Sequence, residues 1–203
     1  VQTCALPIYR LKHFMVHSTQ TLQPWSVRLL LALASANGFD VWTSDVRQAY
    51  LQANENLARE IYIKDAVPEF ELQPEECLQL LKPLYGLCEA GDLWHSTIDE
   101  HHKEELGMFP FRSDPALYAK VTNGRLCGLS GNYVDEMLRA GNRTFRELSK
   151  LTYKRFDMDE DKVPPCTFTG FNLLREDDGT LRISQEEYCE KLRSEERRVG
   201  KEC

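Results

Sequence analysis

The chain has 203 residues, 42% hydrophobic and 28% charged, with a formal net charge of −7 at pH 7. That length supports one domain with its own core, or a piece of a larger enzyme. No apolar run reaches the ~18 residues that span a bilayer, no basic segment leads into a signal-like stretch, and the acidic balance argues against a stand-alone nucleic-acid binder. Seven scattered cysteines without a CxxC pair argue against structural zinc and for reduced thiols in an intracellular compartment.

Residues 1–8 and 193–203 resemble translated adapter oligonucleotide and are expected to be foreign, which leaves 9–192 as the informative protein. Ser26 to Ala36 is Leu/Ala-rich and reads as a helix with Ser26 as N-cap, closed near Gly38. Phe39 to Val46 alternates and reads as a strand. Glu60 to Lys64 and Cys77 to Leu81 read as short strands around a loop bracketed by Pro68 and Pro74. Gly91 to Leu106 is helical in period and ends at Gly107. Ala116 to Thr122 and Arg125 to Val134 flank Asn123-Gly124, whose residues accept the positive φ of a tight hairpin turn. Thr144 with Glu147 reads as a capping box before a helix bearing Phe145, Leu148, Leu151 and Phe156. Phe168 to Leu174 and Leu181 to Ser184 form a second hairpin around Asp178-Gly179, and Ser184 with Glu187 starts a last helix. Strands and helices mix without a βαβ rhythm, so the fold class is α+β.

Two acidic positions sit at strand ends. Asp45 closes its strand, and Asp135 and Glu136 follow the strand ending at Val134, where a hairpin should turn. If the two strands are neighbours, the carboxylates meet at one sheet edge. Close like charges are costly unless cations neutralise them, and a pair of Mg²⁺ ions about 3.5–4 Å apart can activate an attacking oxygen and stabilise a leaving one. Acidic residues are also commonplace in turns, so residue types alone leave both readings open.

Longer motifs add to this. Asp45-Val46-Arg47-Gln48-Ala49-Tyr50-Leu51 resembles the first catalytic motif of reverse transcriptases, an Asp followed five residues later by an aromatic. Glu60-Ile61-Tyr62-Ile63 is similar to the short strand that follows it. Leu84-Tyr85-Gly86-Leu87 followed by Trp94, and Ser113-Asp114-Pro115-Ala116-Leu117-Tyr118, resemble segments of copia-type elements. Tyr133-Val134-Asp135-Glu136 resembles the Tyr-x-Asp-Asp hairpin, and Asp178-Gly179 through Ser184-Gln185 and Tyr188 the later hairpin and helix. The pieces run in order from about Val27 to Leu192.

The resemblance implies a reverse-transcriptase palm, a ferredoxin-like antiparallel sheet with helices on one face, and partial fingers. It implies RNA-directed DNA polymerisation by two Mg²⁺ ions (or Mn²⁺), with an RNA/DNA template-primer and a dNTP as partners. Integrase and RNase H parts of a parent polyprotein and a cytoplasmic, membrane-free setting are expected too. Asp45 and Asp135 would bind metal with the Val46 carbonyl, and Glu136 would stand in the second aspartate's place. Tyr50 would lie under the incoming sugar and reject a 2′-hydroxyl, with Gln48, Ala49 and Tyr133 around the substrate. Gly86 would let backbone approach the template or nascent pair.

Three departures stand out. Glu136 adds a methylene, which could shift a metal by about 1 Å, enough to cost ~10²-fold in rate. Cys88-Glu89-Ala90-Gly91-Asp92 replaces the family's Lys-Gln-Ala-Pro-Arg. The region before Val27 does not match the basic fingers. These point to an inactive transposon relic as one alternative; an acidic intracellular interaction domain is another. Of the remaining features, His95 and His102 share a helix face and read as a solvated or half-buried pair, and His101, Lys103, Glu104 and Glu105 as a charged face. Arg146, Lys150 and Lys154 form either a phosphate-contacting stripe or a solvated one. Trp25, Trp42 and Trp94 read as core.

Overall fold

A computed structural model describes residues 20–64 and 76–199. Its main element is a five-stranded antiparallel sheet, in the order β1 (Asp40–Asp45), β7 (Glu136–Gly141), β6 (Arg125–Tyr133), β5 (Asp114–Thr122) and β4 (Phe109–Phe111). Short β2 (Ile61–Ile63) and β3 (Leu78–Leu80) pair as a separate ribbon, and β8 (Cys166–Phe168), β9 (Phe171–Arg175) and β10 (Leu181–Ser184) form a three-stranded sheet. The helices are α1 (Pro24–Ala36), α2 (Ala90–Glu100), α3 (Arg143–Arg155) and α4 (Glu186–Val199). The expected Pro68–Pro74 loop and residues 1–8 lie outside the described residues, and α4 continues through residues 193–199. No helix among the described residues is long and apolar enough to cross a membrane.

Side chains alternate across a strand, and in this sheet both alternating sets are buried. Val41, Leu117, Leu129, Leu138 and Ala140 face α1, where Val27, Leu30 and Leu31 join them, and Phe168, Phe171 and Leu173 of the small sheet complete that cluster. Trp42 and Tyr118 point the other way and meet Phe145 of α3. The sheet therefore has α1 on one face and α3 on the opposite one, where a single helical face was expected. The antiparallel α+β composition matches expectation.

Three local expectations give way to tertiary partners. Helix α1 starts two residues before Ser26, with Pro24 at the first turn and Gln23 as an N-cap that makes no side-chain cap bond. The missing cap comes from β5. Asp114 accepts from the Gln23 N–H at 3.0 Å and from the Ser26 hydroxyl, and its other oxygen accepts from Ala116 N–H at 3.0 Å. Helix α3 is capped by Asn142, whose side chain accepts from Phe145 N–H at 2.9 Å, in place of Thr144. Asn competes strongly for this position, and Glu147 instead pairs with Lys150 at 2.7 Å. The expected strand Phe168 to Leu174 is broken by Thr169 and Gly170, both at positive φ, into β8 and β9.

The helix expected over Gly91 to Leu106 ends in a π-helical turn, His101–Glu105. The wider turn brings two adjacent residues inward, so His101 and His102 are both 1% exposed, and His101 belongs to the core and not to a charged face. His102 stacks on Tyr118 and bonds to the Ile98 carbonyl at 2.8 Å and the Ser130 hydroxyl at 2.9 Å. Burial drives its pKa down to about 3, so it is neutral. His95 is half-buried. The turn closes at Gly107, φ 58°, where Lys120 donates to the Leu106 carbonyl at 2.7 Å and complements the helix's negative end. Trp42 and Trp94 are core; Trp25 is exposed.

Gly128 and Gly141 are neighbours across β6 and β7, and a Cβ on either would meet the Phe145 ring, at 2.1 Å in the case of Gly128. Gly128→Ala is expected to cost about 1–3 kcal/mol by overpacking, seen as a lower urea midpoint at an unchanged denaturant slope.

Candidate active site

Antiparallel pairing of β1 with β7 puts Asp45 directly opposite Glu136, and pairing of β6 with β7 puts Tyr133 opposite Glu136. The hairpin loop is therefore the two residues Val134 and Asp135. Val134 has φ 54°, a conformation a β-branched residue rarely adopts and that costs of order 1–3 kcal/mol. Its surroundings hold it there. The Trp94 indole N–H donates to the Val134 carbonyl at 2.6 Å, and the Val46 N–H donates to the Asp135 carbonyl at 2.9 Å. Asp45 and Asp135, 90 residues apart in sequence (135 − 45), thus converge with Glu136 at one end of the sheet.

The acidic group is electrostatically crowded. Partial burial, then the charges of Asp135 and Asp159, push the Asp45 carboxyl above its ordinary range, with Lys162 offsetting them. Burial likewise raises Glu136, the charges of Asp45 and Asp135 add to it, and the Thr169 N–H and Lys162 pull it back. The Glu136 carboxylate accepts from that Thr169 N–H at 2.9 Å, so its longer side chain reaches towards the β8–β9 turn. Lys162 is placed by an antiparallel bridge to Thr43 with both backbone bonds at 2.8 Å, and it lines a small cleft with Asp45, Glu136 and Thr167.

Of the remaining sequence-derived candidates, Val46 and Ala49 have fully buried side chains packed on Trp94, Met137 and Phe156. Gln48 adopts a left-handed φ of 49° and starts the 3₁₀ turn Ala49–Gln52. The Tyr50 ring lies 4.4 Å from that of Tyr85, whose hydroxyl donates to Asp135 Oδ2 at 3.1 Å. Burial and the Asp135 charge raise both phenols, Tyr85 to about 12. Gly86, φ 98°, has open space where a Cβ would be. Tyr133 is exposed at the hairpin. Asp159, Lys162, Thr169 and the Tyr85 contact were not foreseen; no local spacing marks them, because only the bridge at Thr43 and the turns bring them in. Among the described residues, no three His, Cys, Asp or Glu side chains are gathered closely enough to form a complete cation cage.

Beneath the acidic end, Arg139 is fully buried and donates to the Ser44 hydroxyl, and it lies 5.4 Å over the Tyr153 ring, whose own hydroxyl donates to Asp161. Of the α3 basic positions, Arg146 turns to protein partners, while Lys150 and Lys154 are exposed to solvent. Arg146 stacks 5.0 Å over Trp42 and approaches Asp161 at 3.7 Å, while Lys150 pairs with Glu147.

Residues 11–197 match the family model described as reverse transcriptase (RNA-dependent DNA polymerase). A putative transposon Ty5-1 protein of Saccharomyces cerevisiae is 30% identical over 160 residues, covering 74% of this chain and 48% of that protein. The transposon Ty1-BL Gag-Pol polyprotein of the same yeast is 29% identical over 120 residues, covering 59% of this chain and 6% of the polyprotein. A truncated transposon Ty1-A Gag-Pol polyprotein is 27% identical over 120 residues, 59% of this chain and 9% of that one. The chain thus spans about half the length of the first relative and under a tenth of the other two. No solved structure matches it significantly.

A carboxyl raised in the folded state favours folding below the unfolded pKa of ~4, and that contribution is lost as pH rises through the folded value. Asp45 and Glu136 therefore oppose folding at neutral pH. Asp45→Asn is expected to raise the Tm at pH 7, and the gain should shrink as pH falls towards ~3, where protonation neutralises wild-type Asp45. Thermal melts at the two pH values check this.

Proposed function

The chain belongs to the reverse transcriptase (RNA-dependent DNA polymerase) family, and from that premise we propose that this copia-type domain is the nucleotidyl-transfer part of an RNA-directed DNA polymerase. It would join a deoxynucleotide to a primer 3′-hydroxyl with release of pyrophosphate. The observation that carries this reading is the β1–β7 register, which brings Asp45 to the strained Val134-Asp135 turn. In this reading the five-stranded sheet is the palm and the β2–β3 ribbon belongs to partial fingers.

The donor set suits Mg²⁺, with Mn²⁺ as the alternative. It consists of hard oxygens, and Asp45 is raised by burial and by the negative charges of Asp135 and Asp159, which Lys162 only partly offsets. Mg²⁺ is held through one or two carboxylates plus substrate phosphates, so an incomplete side-chain cage is the form expected before substrate arrives. Two such ions supply activation of the attacking oxygen and charge stabilisation on the leaving one. Asp45 and Asp135, with the Val46 carbonyl, would hold them. Tyr50 would set the floor under the sugar, Gln48, Ala49 and Tyr133 would shape its surroundings, and Gly86 would leave room for the template or the nascent pair. The chain's part is positioning and charge compensation. RNA/DNA template-primer and dNTP are the substrates, within an intracellular, cytoplasmic polyprotein that also carries integrase and RNase H. Residues 1–8 and 193–203 are foreign to that frame in this proposal.

A second reading keeps the fold and loses the activity. It is favoured by Glu136, whose carboxylate is committed to the Thr169 N–H.

The test is primer extension on an RNA template with Mg²⁺ or Mn²⁺, using residues 9–192 extended to the full genomic reading frame. Extension is expected, and Asp135→Asn should abolish it. A folded protein without extension would favour the relic. Glu136→Asp separates the roles of that residue. If the added methylene displaces a cation, Asp restores rate by up to ~10²-fold; if Glu136 serves as a tie to the β8–β9 turn, Asp lowers the Tm and leaves the rate no higher.

A further inference from the structure

Tyr85 lies in the connection between β3 and α2 and is 60% exposed, so it does not fill the core. It nevertheless has two specific partners, Asp135 Oδ2 through its hydroxyl and the Tyr50 ring through its own. Both partners belong to the site as read above, one as a cation ligand and one as the floor under the nucleotide sugar. The next residue, Gly86, is at φ 98° with open space where a Cβ would be, so no side chain of its own crowds the Tyr85 ring. The O–H of Tyr85 is a donor aimed at an acidic group that holds no preformed cage of cation ligands.

We propose that Tyr85 is a latch on the acidic site. Without a divalent cation, its hydroxyl compensates part of the charge on Asp135 and its ring closes against Tyr50. A cation that takes Asp135 Oδ2 displaces the hydroxyl, and the freed, exposed ring turns about its own side-chain bonds to open the approach to Tyr50. The nucleotide pocket is thereby uncovered only when the cation is in place. This inference rests on the two-cation reading of Asp45 and Asp135.

The measurement is Mn²⁺ binding by the full chain, followed through the electron paramagnetic resonance signal of free Mn²⁺, in wild type, Tyr85→Phe, Asp135→Asn and Tyr62→Phe. Phenylalanine keeps the ring and removes only the competing hydroxyl, so Tyr85→Phe is expected to bind Mn²⁺ roughly three- to tenfold more tightly, the scale of one exposed charge-assisted hydrogen bond. Tyr62, whose hydroxyl bonds to Glu60 at 2.9 Å, serves as the control and should leave affinity unchanged. Mn²⁺ should also produce a tyrosine ultraviolet difference band in wild type that Tyr85→Phe lacks. Equal or weaker binding by Tyr85→Phe, with binding still dependent on Asp135, would overturn the latch and leave the cation reading standing. Absence of Asp135-dependent binding in every variant would overturn both.

Discussion

The acidic end of this molecule depends on a two-residue turn held in a conformation its own residues disfavour. Val134 sits at positive φ although it is β-branched. The strain persists because a buried indole and a backbone amide from two other elements each take one carbonyl of the turn. Trp94 can reach Val134 only because α2 packs its apolar side against Val46, Met137 and Phe156. Val46 can reach Asp135 only because β1 pairs with β7 in one register. A slip of one residue would exchange the two buried faces, turning Val41 and Leu138 away from α1 and Trp42 away from Phe145, so the packing pattern of both strands and the position of the carboxylates are set together.

The layer under the α2–α3 face of the sheet is unusually polar for a core. His101, His102, Ser130, Asn132, Arg139 and Thr152 are all at most 3% exposed. Several atoms of this layer are satisfied within the chain, as His102 is by Ile98 and Ser130, while Arg139 Nε and Nη1 and both amide atoms of Asn132 find no hydrogen-bond partner among the described residues. Buried donors of this kind are costly unless paired. Ser44 is the link between this layer and the acidic group, since it accepts from Arg139 and immediately precedes Asp45.

Glu136 shows how one methylene changes a site's wiring. Opposite Asp45 in register, it shares the same electrostatic crowding. Its reach lets it accept from Thr169, where the chain turns from β8 to β9. The hairpin that carries Asp135 is thereby tied to the small sheet, whose Phe168 and Phe171 pack into the α1 side of the core. The geometry of the acidic group and the packing of the small sheet thus meet at one side chain.

Much of the outline was legible in the residues themselves. Asn123-Gly124 marked the β5–β6 turn because only certain residues accept its φ values, and apolar spacing marked α1, α2 and α3. The ordered motifs around Asp45, Gly86 and Asp135 marked the family, and those short strings carry their meaning locally. What the sequence could not contain is which distant group answers each local need. Asp114 of β5 caps α1, Asn142 displaces Thr144 as the cap of α3, a π turn carries His101 into the core, and Lys162 and Thr169 arrive beside the carboxylates through backbone pairing. Propensity and periodicity act over a few residues, so they determined the elements and the identity of the acidic pair. Hydrogen-bond satisfaction and charge compensation act across the folded chain, so only the tertiary structure decided how those carboxylates are held, crowded and partnered.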